Sequence, residues 1–145
     1  MSDFRQLTSE FCASPQIALA DVDEAQARGF ALIVNNRPEG EADDQVPGEQ
    51  IEARAQAAGI AYRAIPVTHA GFSEDQVAAM ADALASAGGP VLAYCRSGTR
   101  STLLWALSQA SLGIHPDILA ESAARGGYDL APIRGLLDML ASRAQ

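Results

Sequence analysis

Residues 91–101 read Val91-Leu92-Ala93-Tyr94-Cys95-Arg96-Ser97-Gly98-Thr99-Arg100-Ser101. An apolar run stops at a cysteine, small and cationic residues follow, and a helical pattern begins at Ser101. This order predicts a buried strand that delivers a thiol to its carboxyl end, then a tight loop and a helix N-terminus. The first amides of a helix have no carbonyl partner within it and favour negative charge. Arg96 and Arg100 add full positive charge. Such surroundings favour a thiolate over a thiol and hold an anionic substrate group against it. Cys95 is therefore the candidate nucleophile, Arg100 and Ser101 its catalytic partners, and Arg96, Ser97, Gly98 and Thr99 the anion-binding loop. A buried cysteine often packs as a small hydrophobe. Here the strand, the central glycine and the helix together point to chemistry instead.

Working outward, Phe4–Leu7 and Phe11–Ala13 read as short strands and Asp21–Arg28 as a helix stopped by Gly29. Phe30–Asn35 has the continuous apolar character of a strand buried on both faces. The turn-forming Asn36-Arg37-Pro38-Glu39-Gly40-Glu41 follows it. Gly48–Ala58 reads as a helix and Ala61–Val67 as the next strand. Ser73-Glu74-Asp75-Gln76 is a capping-box sequence opening a helix that runs to Gly88-Gly89. Strands and helices alternating in this way predict a mostly parallel sheet with helices on both faces. Ligands then sit beyond the carboxyl ends of the strands, where Arg37, His69 and Cys95 all fall. Past Cys95 the pattern is helical throughout, in Ser101–Leu112, Pro116–Arg125 and Pro132–Ala144.

The 145 residues suit a single catalytic domain spanning 1–145. The opening Met1-Ser2-Asp3-Phe4-Arg5 has no basic segment leading into an apolar one, so a cytoplasmic protein is expected. Net charge is −8 and all ten basic residues are arginine, which disfavours nucleic acid as a partner. No apolar run is long enough to suggest a membrane span. Local positive charge on an acidic body points to a small anion. Cys12, Cys95, His69 and His115 do not have the spacing of a zinc site, so no metal or other cofactor is expected. Cys12 reads as a packed residue.

Cys95-Arg-Ser-Gly-Thr-Arg100-Ser101 resembles the loop of single-domain rhodaneses, with four residues between cysteine and arginine. The all-helical part after it resembles dual-specificity phosphatases instead, whose loops hold five. With Gln16, Gly29-Phe30, Arg37-Pro38-Glu39-Gly40-Glu41, Ala58-Gly59, Ile65-Pro66-Val67 and Trp105-Ala106-Leu107, nearly the whole chain is similar to one bacterial family. That family is the phosphatase-like domain of beta-lactamase hydrolase-like proteins, also described as sulfur transferases. The resemblance implies an α/β, protein tyrosine/dual-specificity phosphatase-like three-layer fold with a mostly parallel central sheet.

Two chemistries fit this loop. In sulfur transfer, Cys95 takes the outer sulfur of thiosulfate or a persulfide and passes it to an acceptor thiol such as glutathione. In phosphoester hydrolysis, Cys95 attacks phosphorus, Arg100 clamps the oxygens, and the Ser101 hydroxyl bonds the thiolate. An alkoxide leaving group wants a general acid. The expected acid-bearing loop, Thr68-His69-Ala70-Gly71-Phe72, has no Asp. His69 is its one titratable group, and Asp75 reads as part of a helix cap. Arg37 either reaches the site or pairs with Glu39 or Glu41. The missing acid and the short loop put sulfur transfer ahead, with phosphatase action second and a non-catalytic anion or persulfide sensor third.

Overall fold

The computed structural model describes residues 2–144. Strands β1 (Arg5–Thr8) and β2 (Phe11–Ser14) form an antiparallel pair at one sheet edge. Strands β2, β5 (Val91–Tyr94), β3 (Leu32–Asn35) and β4 (Ala61–Ala64) then run parallel, giving the order β1-β2-β5-β3-β4. Ser14 and Asn35 both lie opposite Tyr94, and Ala64 lies opposite Asn35. The carboxyl ends of all four parallel strands are therefore level, and β5 occupies the middle.

Every residue of β2, β3 and β5 is buried, as expected of parallel strands covered on both faces. Side chains alternate between the faces. Cys12, Ile33, Leu92 and Tyr94 pack with Val22 and Ala25 of α1 (Leu19–Ala27) and with Ile51 and Ala55 of α2 (Gly48–Ala57). Val34, Val91 and Ala93 face the opposite way, toward Met80 and Ala83 of α3 (Glu74–Ser86) and Leu104 and Leu107 of α4 (Thr99–Ser111). Helices α5 (Pro116–Arg125) and α6 (Arg134–Arg143) pack on α4 and complete the layer. This is the three-layer arrangement with a mostly parallel sheet and an all-helical C-terminal part. No helix of the described residues is long and apolar enough to cross a membrane.

Element boundaries differ from the sequence expectation in three informative places. The β4 ladder stops at Ala64, yet the chain stays extended, with the Ile65 and Val67 amides donating to the Asn35 and Asn36 carbonyls at 2.9 Å each. Helix α4 starts at Thr99 instead of Ser101, because Gly98 takes the left-handed conformation (φ 92°) and ends the loop there. Pro132 sits in a 3-10 turn, Ala131–Ile133, and α6 begins after it.

Leu107 is fully buried in the layer between the sheet and α6. Leu107→Ala should destabilise the fold by about 3 kcal/mol through lost burial and the cavity left behind. Urea unfolding measures this, and a loss below about 1 kcal/mol would contradict the packing described.

Candidate active site

Strand β5 ends at Tyr94, and Cys95 follows it with no exposed surface. The Cys95 amide donates to the Ser14 carbonyl (3.3 Å), and the Gln16 amide donates to the Arg96 carbonyl (3.2 Å). The segment leaving β2 thus fixes the start of the cysteine loop. The loop then turns so that the Gly98 amide donates to Cys95 Sγ at 3.1 Å. A side chain at Gly98 would overlap the Tyr128 hydroxyl and stand 3.2 Å from the Ser14 carbonyl carbon. Glycine is required both for its dihedral angle and for its space. At the start of α4, the Thr102 amide and hydroxyl both donate to the Gly98 carbonyl, at 3.0 and 2.9 Å.

Arg100 lies in the first turn of α4 with its side chain 15% exposed. Its Nη1 and Nη2 donate to Glu41 Oε2 and Oε1, both at 2.8 Å, and Nη1 also donates to the Val67 carbonyl at 2.7 Å. A guanidinium has five N–H groups, and these three bonds occupy its end-on fork and the outer edge of Nη1. Nε–H and the second Nη2–H remain, side by side, as a second fork that neither Glu41 nor Val67 engages. The bond to Glu41 raises the Arg100 pKa above its ordinary value, with a smaller contribution from the nearby Cys95. Arg100 and the candidate nucleophile Cys95 are therefore neighbours.

Glu41 is the hinge of this arrangement. Its Oε1 also accepts from Arg37 Nε at 3.0 Å, so one carboxylate serves two guanidinium groups. The bond from Arg100 first, and that from Arg37 after it, pull the Glu41 carboxyl down to about 2 against the opposing effect of burial. Arg37 is 5% exposed and spends its Nη1 on Gln16 Oε1 at 2.9 Å. Its place is structural, as a partner of Glu41 that anchors the loop after β3 to the loop after β2. Gln45 accepts from the Glu41 amide at 3.0 Å and donates to the Pro38 carbonyl at 2.9 Å, closing the turn around the carboxylate.

The remaining predicted residues are distributed unevenly. Arg96, Ser97 and Thr99 are exposed at the mouth of the loop, where the Ser97 and Thr99 hydroxyls bond each other at 3.0 Å. Ser101 is buried, but its Oγ has no hydrogen-bond partner. The expected bond to the Cys95 sulfur is not formed; the Gly98 amide donates to it instead. His69 is exposed in the turn two residues beyond Val67, beside the carbonyl that holds Arg100. Asp75 is exposed in the first turn of α3, behind the Ser73–Gln76 capping box. Cys12 is packed on the α1–α2 side of the sheet, where burial pushes its thiol up. Glu41 and Tyr128 were not recognised from sequence as parts of the site. For Glu41 a signal was present, since Arg37-Pro38-Glu39-Gly40-Glu41 is one of the stretches on which the family resemblance rests.

The family model for the phosphatase-like domain of beta-lactamase hydrolase-like proteins matches residues 3–112. The chain belongs to this family. A beta-lactamase hydrolase-like protein of Agrobacterium fabrum is 36% identical over 116 residues, which is 79% of this chain but 27% of that protein. The chain thus spans about a quarter of that curated relative. A candidate phosphatase from Neisseria meningitidis, known from its crystal structure, is 31% identical and superposes with a TM-score of 0.84, covering 97% of this chain and 99% of that one. Tk-PTP in its active form shares the fold at 18% identity, with a TM-score of 0.72 and 97% of each chain covered.

The sharing of Glu41 has a measurable pH signature. Its carboxyl is lowered in the folded state from an ordinary 4.5 to about 2, so its stabilising contribution is complete above pH 4.5 and drains away as pH falls toward 2. Glu41→Gln should cost about 2 kcal/mol near neutral pH, the scale of a charged hydrogen bond lost. The gap between the two proteins should close over that acid window. Urea unfolding at stepped pH reports it, and a gap independent of pH would show that the carboxylate charge contributes nothing.

Proposed function

We propose that this protein is a cysteine-dependent phosphatase acting through a phosphocysteine on Cys95. The observation that carries this reading is the open Nε–Nη2 fork of Arg100, held in place by Glu41 and Val67 beside the nucleophile. A planar fork matches two oxygens of a phosphoryl group, and lysine cannot supply it. The likeness to a candidate phosphatase over nearly the whole chain supports the same reading.

In the first step the Cys95 thiolate attacks phosphorus. The S–P bond forms as the P–O ester bond breaks, and the oxygen departs with the bonding pair as an alkoxide or phenolate. Arg100 holds the equatorial oxygens, and the loop amides offset the spreading negative charge. In the second step water attacks phosphorus, the S–P bond breaks, and inorganic phosphate and the thiolate are released. No Asp lies in the loop between β4 and α3 to protonate the departing oxygen. Esters with acidic leaving groups, such as aryl phosphates, should therefore be the better substrates.

A second reading, sulfur transfer, is favoured by the four-residue spacing between Cys95 and Arg100 and by that same missing acid. Cys95 would attack the outer sulfur of thiosulfate, expelling sulfite and leaving a Cys95 persulfide. An acceptor thiolate such as glutathione would then take that sulfur and regenerate Cys95. Sulfite leaves without protonation.

One preparation assayed on aryl phosphate, alkyl phosphate, and thiosulfate with glutathione separates the readings. Aryl phosphate should be hydrolysed and alkyl phosphate much more slowly. Cys95→Ser should reduce turnover to background, and Arg100→Lys should lower kcat/KM about 100-fold, the scale of losing an oxyanion contact. Thiosulfate turnover with one extra sulfur on Cys95 by mass spectrometry, and no phosphate release, would replace the first reading with the second. Anion binding without any turnover would leave the sensor.

A further inference from the structure

The Ser97 carbonyl and the Gly98 amide belong to the same peptide unit. No cis peptide bond occurs among the described residues, so the C=O and N–H of this planar unit point in opposite directions. Each end is held. The Tyr128 hydroxyl donates to the Ser97 carbonyl at 3.0 Å, and the Gly98 amide donates to Cys95 Sγ at 3.1 Å. We infer that Tyr128 is a positioning residue for the nucleophile: by fixing the carbonyl end of the Ser97–Gly98 peptide, it aims the amide end at the Cys95 sulfur.

The need for such a clamp follows from the loop itself. Gly98 has no side chain to resist a peptide flip, and glycine exchanges between backbone regions at little cost. A flipped peptide would remove the amide from the sulfur and turn the carbonyl oxygen toward it. An acceptor facing a thiolate repels it, where the donor stabilised it. The bond from Tyr128 holds against that flip, and its hydroxyl occupies the space left by the absent side chain at Gly98. Burial raises the Tyr128 pKa above its ordinary value, so the phenol keeps the proton that it donates.

Tyr128 is itself firmly placed. Its amide donates to the Ala123 carbonyl at 3.0 Å, closing the end of α5 through Gly127, whose φ is 87°. The Arg5 guanidinium lies 5.2 Å above the ring centre and donates from Nη1 to the Gly126 carbonyl at 3.3 Å. Tyr128 lies beyond residue 112, outside the residues that the family model matches. The clamp rests on Cys95 as nucleophile and is independent of whether phosphorus or sulfur is attacked.

Tyr128→Phe keeps the ring and removes only the donor. Arg100, whose charge bears on Cys95, stays in place. The test is the rate of Cys95 alkylation by iodoacetamide against pH, in the full chain, with thermal melting as the folding control. The variant profile should move to higher pH, with alkylation near pH 6 slowed about fivefold and the high-pH plateau unchanged within about twofold, as for one hydrogen bond lost. A purely structural role for the ring would leave the profile where it is, and a superimposable profile in a folded variant overturns the proposal. In the unmodified protein, the Ser97 carbonyl carbon-13 resonance should shift as Tyr128 ionises and ceases to donate. A resonance indifferent to that ionisation overturns it equally. Because alkylation needs no substrate, a displaced profile in a protein without phosphatase activity would overturn the functional reading alone.

Discussion

Two guanidinium groups meet at a single carboxylate, and that meeting governs the rest of the site. Arg37 and Arg100 would repel each other in a largely buried pocket, and a lone arginine on the first turn of α4 would extend into water. Glu41 resolves both problems at once, engaging Arg37 Nε and both terminal nitrogens of Arg100. The triad keeps one net positive charge, which is what an anion requires. It also joins the exits of β2, β3 and β4 to the first turn of α4. Arg37 follows β3 and reaches Gln16 beyond β2, while Arg100 reaches Val67 beyond β4.

The sheet provides the platform for this arrangement. Because β2, β3 and β4 end level with β5, their exit loops converge around Cys95. A parallel sheet buried on both faces tolerates little distortion of its central strand, so the sulfur has a fixed position. The loop around it is held by backbone and side-chain bonds from the segment after β2, from α4 and from Tyr128. Arg100 brings positive charge to the pocket and Gly98 a backbone donor.

The central motif was legible because its information is local. An apolar run, a cysteine, a glycine-centred loop and a helix occupy eleven consecutive residues, and each has a short-range physical signature. Parallel topology followed from the alternation of strands and helices. The start of α4 was placed two residues late because a hydrophobic period cannot register Thr99 and Arg100, which are helical but face the site. The connections that tune the site were less accessible. Arg100 and Glu41 are 59 residues apart, and Tyr128 and Ser97 are 31 apart. Their meeting depends on how the loops cross above the sheet. Ser101 shows the converse: a residue type in the expected place does not make the bond expected of it, and a backbone amide, which residue identity does not advertise, serves the sulfur.

The Phe11–Trp105 pair, with ring centres 5.3 Å apart and planes at 12°, joins β2 to the helix that carries Arg100. Trp105 is the one tryptophan of the chain and is 4% exposed. Its fluorescence is therefore a single-site optical gauge. Emission should lie at the short wavelengths of an apolar environment while α4 stays docked, and should redden as soon as water reaches the indole. Separation of α4 from β2 would thus be visible without any label, and distinguishable from loosening of the distant α1–α2 layer.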